Sequence, residues 1–335
     1  MQNIAIVGFG FMGMTHAVNI IKNDQLRLTA IIDKDIEGIE QKLTSKTGNF
    51  AIEGIDKDLL GTINKYPDIQ TCLDNEAIEA VHVCVHTDLH YTMAKQLLSK
   101  GLHVFLEKPM TLDVNEGQEL IDLANKGNCI FMVGHVVRFM PPYQQLKQWI
   151  DNKTYGSLKF LSLSRFSGVP SWGQWKEKQT DFGSSGGALF DLLIHDIDMV
   201  NYLFGPPDTI ESTSMPGYLS NNDYTCAFWI YNKLGIRVKV EGGNVFHSTF
   251  PFQAGFSAQF EEASIFYSTL TPESIQVATH DEITHVKEID HPDGFYQEID
   301  YFYECIRAGK KPEICLPESS LETIKLCYQH TKDIK

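Results

Sequence analysis

Apolar and polar positions follow two alternating periodicities along the first 135 residues of the chain. Short β-branched apolar runs predict strands, and longer amphipathic stretches between them predict helices. The predicted strands cover residues 3–7, 27–32, 80–85, 103–106 and 129–133, and the predicted helices cover residues 11–22, 35–46, 89–100 and 113–126. Apolar runs separated by helices are typical of a parallel sheet that is covered on both faces. This part of the chain therefore predicts a doubly wound α/β Rossmann domain.

The pattern changes after Pro141 and Pro142. One helix, one long strand and a second helix are predicted over residues 143–151, 157–166 and 187–203. Mainly strands follow, including a hairpin, at residues 224–231, 236–241, 262–267, 274–278 and 282–287, before two helices at residues 296–308 and 317–331. This order predicts an α+β domain with a large, mostly antiparallel open sheet. We place the domains at residues 1–136 and 137–335, with the last helix free to pack back on the first domain.

Composition narrows the class of protein without identifying a substrate. The 335 residues carry a formal net charge of -15, which argues against nucleic acid or an anionic membrane as a partner. No apolar run is long enough to cross a bilayer, and because a strand is predicted from residue 3 we expect no leader segment. The chain has seven cysteines, an odd number: Cys72, Cys84, Cys129, Cys226, Cys305, Cys315 and Cys327. Without a C-x-x-C pair, they argue against a disulfide framework and a zinc ribbon. We therefore expect the protein in the reducing cytoplasm.

A glycine-rich turn follows the first strand and leads into the first helix. Gly8, Gly10 and Gly13 form a Gly-x-Gly-x-x-Gly pattern, and Asp33 ends the second strand twenty residues later. Strand, glycine turn, helix, strand and acid together predict a dinucleotide site, with the diphosphate on the N-terminal amides of the helix at Phe11 and Met12. A glycine turn of some other α/β protein is the alternative interpretation.

The acid at the end of the second strand indicates whether the cofactor is NAD or NADP. Asp33 can accept hydrogen bonds from both hydroxyls of an adenosine ribose, and its charge would repel a 2′-phosphate. We therefore expect NAD. Lys34 is a cation that could pair with such a phosphate, so NADP remains the alternative.

Three further segments, together with the glycine turn, resemble the family of glucose–fructose oxidoreductase, inositol dehydrogenase and MocA (Gfo/Idh/MocA). They are Gly-Leu-His-Val-Phe-Leu-Glu-Lys-Pro at 101–109, Val-Gly-His-Val-Val-Arg-Phe at 133–139, and Gly-Gly-Ala-Leu-Phe-Asp-Leu-Leu-Ile-His-Asp-Ile-Asp at 186–198. The resemblance covers essentially the whole chain. It implies an NAD(P)-dependent dehydrogenase that acts on the CH–OH group of a sugar, sugar derivative or cyclitol and assembles as a homodimer or homotetramer. Val85 and His86 depart from the family's usual Thr-Pro, whereas His90 matches its histidine.

The candidate catalytic groups lie in two of these segments. Lys108 follows the end of a parallel strand, where an ammonium can stabilise charge on a substrate oxygen. Asp191 and His195 are four residues apart and share a face of a predicted helix. His195 can accept a hydroxyl proton, and Asp191 can orient it or bind the substrate. Alternatively, Lys108 is a surface lysine before a proline and the helix carries ordinary polar residues. A metal is not expected, since the spacing is not His-Glu-x-x-His and the family needs none.

The remaining candidates are less closely tied to the chemistry. Further cofactor contacts are expected from Lys34, Val85, His86, His90, Glu107 and Lys108. Further substrate contacts are expected from Arg165 and from two tryptophans in a Gly/Pro/Ser-rich loop, Trp172 and Trp175, which could equally be packing residues. The resemblance also implies a cis bond between Lys108 and Pro109. Structural roles are expected for Arg138 and Asp198, and His82 and His103 are expected to be core or edge residues.

Two other functions are compatible with the same residues. One is an NAD-sensing regulator that catalyses nothing, against which the intact Lys108, Asp191 and His195 argue. The other is a glycoside-cleaving enzyme that uses NAD only transiently. Such an enzyme would cleave a glycoside without net formation of NADH.

Overall fold

A computed structural model of the chain describes residues 2–42, 54–170, 186–218, 220–286 and 293–331. The chain divides into two compact units. The first unit comprises Met1–His135 and Phe295–Leu321, and the second comprises Val136–Gly294 and Glu322–Lys335. Residues 295–321, which the sequence pattern assigns to the second domain, thus pack with the first unit; the boundary at residues 136 and 137 stays a prediction.

The first unit is built on a parallel sheet of six strands in the order β3-β2-β1-β4-β5-β6. The strands are β1 (Gln2–Val7), β2 (Leu26–Ile32), β3 (Asn64–Tyr66), β4 (Ala80–Val83), β5 (His103–Glu107) and β6 (Phe131–Gly134). The helices are α1 (Phe11–Ile21), α2 (Ile39–Lys42), α3 (Lys57–Gly61), α4 (Ile69–Asn75), α5 (His90–Ser99) and α6 (Val114–Gly127). Strand order reverses between β1 and β4, the point at which such sheets bind ligands.

The second unit is built on an eight-stranded sheet in the order β14-β13-β12-β11-β7-β10-β9-β8. Its strands are β7 (Leu158–Gly168), β8 (Thr209–Met215), β9 (Tyr224–Tyr231), β10 (Ile236–Phe246), β11 (Gln253–Phe260), β12 (Ser264–Ser268), β13 (Ile275–Ala278) and β14 (Ile283–Val286). Helices α7 (Pro141–Asn152) and α8 (Ile194–Phe204) precede most of the strands, and α9 (Gly294–Ala308) and α10 (Pro317–Gln329) end the chain. All neighbouring strands are antiparallel except β7 and β10.

These two sheets confirm the predicted fold class, and they correct it in detail. Strands β3, β8 and β11 and helices α3 and α4 were not predicted. The helix predicted over residues 35–46 begins only at Ile39 in the described part of the chain. No helix among the described residues combines the length and the apolar character needed to cross a membrane.

A buried histidine joins the end of α10 to the sheet of the second unit. His330 donates from Nδ1 to the carbonyl oxygen of Leu326 at 2.7 Å, and its Nε2 accepts from the indole Nε1 of Trp229 at 2.9 Å. Both nitrogens are therefore satisfied in the neutral form, with the proton on Nδ1. Burial lowers the pKa of His330 from its ordinary value of 6.5 to about 4, against the opposing effect of the Leu326 carbonyl.

This histidine is expected to make the second unit less stable in acid. Because the folded pKa lies below the unfolded one, its contribution is complete above pH 6.5 and is lost as the pH falls toward 4. The expected slope is about 1.4 kcal/mol of unfolding free energy per pH unit. Urea unfolding at a series of pH values measures the slope, and His330→Gln should remove this part of it. His247→Gln, at an exposed histidine, is the control and should keep the wild-type slope.

Candidate functional site

The glycine turn after β1 has the shape that a bound dinucleotide requires. Gly8 has a φ of +88°, and a Cβ there would lie 2.6 Å from the carbonyl oxygen of Cys84. A Cβ on Gly13 would lie 2.0 Å from the carbonyl oxygen of Gly8, so both positions exclude a side chain. Gly10 is exposed at the start of α1, and a Cβ there would meet nothing within 4 Å. The turn therefore leaves open space where a diphosphate would approach the helix N-terminus, and these residues fit NAD.

Asp33 follows β2 and is fixed by backbone amides. Its Oδ2 accepts from the N–H of Phe9 at 2.8 Å, and its Oδ1 accepts from the N–H of Asp35 at 2.9 Å. Burial alone would raise the pKa of Asp33, but these two bonds and the Lys42 ammonium lower it below its ordinary value. The carboxylate is thus charged and held beside the glycine turn, as an acceptor for ribose hydroxyls must be.

The cation that contacts this acid is Lys42 and not Lys34. Lys42 Nζ lies 3.0 Å from Oδ2 of Asp33 and 3.9 Å from Oδ2 of Asp35. Lys34, the cation that the sequence suggested, is exposed. Sequence reasoning missed Lys42 because it is nine residues from Asp33, and the only available signal was its place in the following helix.

The loop after β4 is tied to the loop after β5 by His90. His90 is 1% exposed, and its Nδ1 lies 2.7 Å from the carbonyl oxygen of Pro109 while its Nε2 lies 3.1 Å from that of Val85. Burial lowers the pKa of His90, against the opposing effect of both carbonyls. His86, which stands where the family has proline, has a φ of -68°, close to the value a proline ring imposes. This backbone therefore keeps a proline-like conformation without the proline.

Lys108 directly follows β5 and lies between Glu107 and Pro109. The peptide bond between Lys108 and Pro109 is cis, as the resemblance implied. The Lys108 N–H donates to Oε2 of Glu107 at 3.1 Å. The Lys108 side chain is half-buried, whereas Glu107 is 6% exposed. Since β5 lies two strands from β1, Lys108 lies about 10 Å from the glycine turn along the same edge of the sheet.

A buried hydrogen-bonded chain supports Glu107 from below. His16 Nε2 lies 2.8 Å from Oε1 of Glu107, His16 Nδ1 lies 2.7 Å from Nδ1 of His82, and His82 Nε2 lies 2.8 Å from the hydroxyl of Tyr303. When His16 is neutral, Tyr303 donates to His82, His82 donates to His16, and His16 donates to Glu107. When His16 is protonated, it still donates to Glu107, but it also donates to His82, and His82 then donates to Tyr303. In both arrangements Glu107 receives an N–H and every ring nitrogen has a partner.

The groups that are hydrogen-bonded or close to Glu107 favour its charged form. Burial alone would raise the pKa of Glu107, but the bond from His16 and the charges of His16 and Lys108 lower it below its ordinary value. Burial, and then the charge of His16, lower the pKa of His82 well below its ordinary value. His82 is a core residue, as predicted, while the part played by His16 was missed; its position three residues after Gly13, facing the sheet, was the available signal.

In the second unit, Asp191 and His195 lie on either side of a change in helix type. A π-helical turn at Leu189–Leu193 contains Asp191, and α8 begins at Ile194. The helix predicted over residues 187–203 is present, but the π turn, which was not predicted, shifts the helical register of the residues after it. Such turns are frequent at functional sites. Both side chains are half-buried, which leaves each with accessible surface.

The other two acids of this segment are fully buried in ion pairs. Asp196 binds Nε of Arg165 at 2.7 Å and its Nη2 at 3.2 Å. Asp198 binds Nε of Arg138 at 2.7 Å and its Nη2 at 2.6 Å. Arg165, a predicted substrate contact, is only 5% exposed and holds Asp196, while Arg138 and Asp198 have the structural contacts expected of them. Trp172 and Trp175 lie outside the described residues.

Two family models match the chain. The N-terminal model, described as an oxidoreductase family with an NAD-binding Rossmann fold, matches residues 2–135, and the GFO/IDH/MocA C-terminal domain matches residues 143–267. The scyllo-inositol 2-dehydrogenase (NAD(+)) of Bacillus subtilis is 25% identical over 321 residues, which are 92% of this chain and 87% of that protein. An uncharacterized oxidoreductase of Synechocystis sp. is 28% identical over 65% of this chain, which spans only 57% of that relative's length.

A solved structure shows the same fold. The UDP-N-acetylglucosamine 3-dehydrogenase of Acidithiobacillus ferrooxidans superimposes with a TM-score of 0.78 and 19% identity. The match covers 98% of this chain and 96% of that one.

Proposed function

Since the chain belongs to the GFO/IDH/MocA oxidoreductase family, with its NAD-binding Rossmann fold, we propose that it transfers hydride between NAD and a carbinol carbon of a sugar, sugar derivative or cyclitol. One observation carries the proposal: Lys108 lies at the same sheet edge as the glycine turn and Asp33, two strands from β1. Relatives named as dehydrogenases of inositol and of a sugar nucleotide support the substrate class.

We assign the proton and charge chemistry to three side chains. The Lys108 ammonium donates a hydrogen bond to the substrate oxygen and stabilises negative charge as the alkoxide becomes a ketone. His195 accepts the hydroxyl proton, and returns it in the reverse direction. Asp191 orients His195 or binds a second hydroxyl. A bound NAD would supply the acceptor for the hydride that leaves the same carbon.

Binding of NAD is assigned to the loops at the carboxyl ends of the strands. The glycine turn and Asp33 would hold the diphosphate and the adenosine ribose. The proposed remaining contacts are Phe11, Met12, Lys34, Val85, His86, His90, Glu107 and Lys108. His90 is buried, so its part is to fix Val85 and Pro109.

The experiment that tests this function follows the absorbance of NADH. Wild-type protein is incubated with NAD and a panel of inositols, sugars, glycosides and sugar nucleotides, and with NADH and the corresponding keto compounds. Turnover is expected with at least one polyol and not without substrate. Tight NAD binding with no turnover on any compound would support the sensor, and glycoside cleavage without net NADH would support the transient use of NAD; either result overturns the proposal.

We also propose that the protein forms a homodimer or homotetramer through the face of the second unit's sheet that the described residues leave exposed. Large apolar side chains are exposed on strands of this sheet, including Phe228 (43% exposed) and Phe266 (48% exposed). An exposed apolar patch on a sheet is a frequent site of association between copies of a chain. Sedimentation equilibrium tests this proposal, and a monomer at micromolar concentration would contradict it.

A cytoplasmic location is proposed on the state of the cysteines. All seven are free thiols in the structure, and Cys72, Cys315 and Cys327 are completely buried. Free thiols are typical of a reducing compartment.

A further inference from the structure

The acid that would bind the adenosine ribose is nearly saturated with hydrogen bonds before any cofactor is present. The two oxygens of Asp33 offer about four acceptor positions. Three are filled, by the N–H of Asp35 on Oδ1 and by the N–H of Phe9 and Lys42 Nζ on Oδ2. A ribose that donates from both hydroxyls needs two positions, so Lys42 must leave Oδ2 for both bonds to form.

A 2′-phosphate makes the opposite demand on the same groups. It brings negative charge and acceptors, and no hydroxyl donor at the 2′ position. An ammonium has three donors, so Lys42 can keep its bond to Asp33 and donate another to a phosphate oxygen. Its charge also offsets that of Asp33, which would otherwise repel the phosphate.

We propose that Lys42 determines cofactor selectivity, allowing the pocket at the end of β2 to accept the 2′-phosphate of NADP as well as the free ribose of NAD. This inference rests on the proposed function only in that the pocket binds a nicotinamide dinucleotide. It assigns the phosphate to a residue nine positions beyond the acid, on α2, and not to the adjacent Lys34.

The local backbone explains why Lys42 reaches the acid. The Asp35 carboxylate accepts from the N–H of Gly38 at 3.0 Å, and a Cβ on Gly38 would lie only 2.0 Å from Oδ2 of Asp35. Gly38 thus allows the chain to turn tightly into α2, which begins at Ile39. Lys42 then lies between two carboxylates, with its side chain 27% exposed, so solvent and ligand can reach it.

The test measures dissociation constants of NAD and NADP by calorimetry for the wild type and Lys42→Met. Methionine keeps most of the side-chain volume and removes the charge. The wild type is expected to bind the two cofactors within about tenfold of each other. The variant is expected to bind NADP at least about tenfold more weakly and NAD as tightly or more tightly, since Oδ2 is released. Lys100→Met, which removes an exposed lysine that bonds Gln70, is the matched control and should leave the ratio unchanged.

Other outcomes separate the inference from the function on which it rests. An unchanged NADP-to-NAD ratio in Lys42→Met, or a larger change in Lys34→Met, would overturn the role of Lys42 while leaving NAD binding intact. Wild-type protein that binds NAD but rejects NADP by more than about a hundredfold would do the same. If the cofactor ratios behave as expected but no polyol is turned over, hydride transfer fails and the selectivity of the pocket stands.

Discussion

Replacing Lys108 with methionine is expected to lower kcat by about a hundred- to a thousandfold, the usual cost of removing one donor to a developing oxyanion. Methionine has nearly the length of lysine but offers no hydrogen-bond donor and no charge. Binding of NAD is expected to weaken by less than about tenfold, because Lys108 is one of several proposed contacts and the variant leaves the glycine turn and Asp33 unchanged. Steady-state kinetics with the polyol found in the substrate panel, together with the NAD dissociation constant, measure the two effects separately.

Two further variants make this result interpretable. Lys108→Arg keeps the cation and should retain part of the lost activity, provided that the loop before Pro109 is intact. Lys126→Met removes an exposed lysine from the last turn of α6 and should keep wild-type kcat. A kcat within about threefold of wild type in Lys108→Met would show that another group stabilises the substrate oxygen.

The glycine turn and Asp33 could be predicted because local backbone geometry dictates residue type there. Gly8 needs a positive φ, and neither Gly8 nor Gly13 has room for a Cβ. Requirements of this kind act over a few residues, so they appear as a short motif in the sequence. The same holds for the core strands β1, β2, β4 and β5, whose apolar runs reflect burial on both faces.

The strands that were missed have no such signal. Strand β8 alternates only between exposed and half-buried positions, so its sequence, Thr-Ile-Glu-Ser-Thr-Ser-Met, shows little apolar periodicity. Strand β11 does alternate, but two of its four buried alternate positions are small alanines (Ala254 and Ala258), which weakens the apolar signal; β3 has only three residues. Their structure comes from pairing with β9, β7 and β2, which is a tertiary effect.

The polar contacts around the site were harder still to predict, since each joins distant parts of the chain. His16 on α1 meets His82 on β4, and His82 meets Tyr303 on α9, more than two hundred residues away. Arg165 shows the converse: its strand leads into the loop with the two tryptophans, so a substrate contact was predicted, but the fold places Asp196 against it. Residue type and spacing identify candidate chemistry, but the partners of a charged group depend on the packing.

Replacing His16 with leucine is expected to cost about 3–5 kcal/mol of unfolding free energy at neutral pH. His16 donates to Oε1 of Glu107 at 2.8 Å in a fully buried position, so leucine leaves that charge without its N–H and His82 Nδ1 without a partner. Urea unfolding at pH 7.5 and at lower pH measures the cost. His16→Gln should lose less, because its amide N–H can still donate to Glu107.

The dependence of this cost on pH distinguishes a lost charge partner from a cavity. In the wild type the folded pKa of Glu107 is depressed, so its contribution is present above the unfolded pKa and is lost as the pH falls through the folded one. In His16→Leu, Glu107 stays buried without the hydrogen bond from His16, so its pKa is raised. Acid then neutralises Glu107, and the difference in unfolding free energy between the variant and the wild type should shrink as the pH falls. Phe105→Leu, which removes the ring stacked on His82, should cost about 1–3 kcal/mol with no such trend. If the cost of His16→Leu is as independent of pH as that of Phe105→Leu, then the charge of Glu107 does not depend on His16. The hydrogen bonds from Tyr303 to Glu107 would then not help to hold the charged carboxylate beside Lys108.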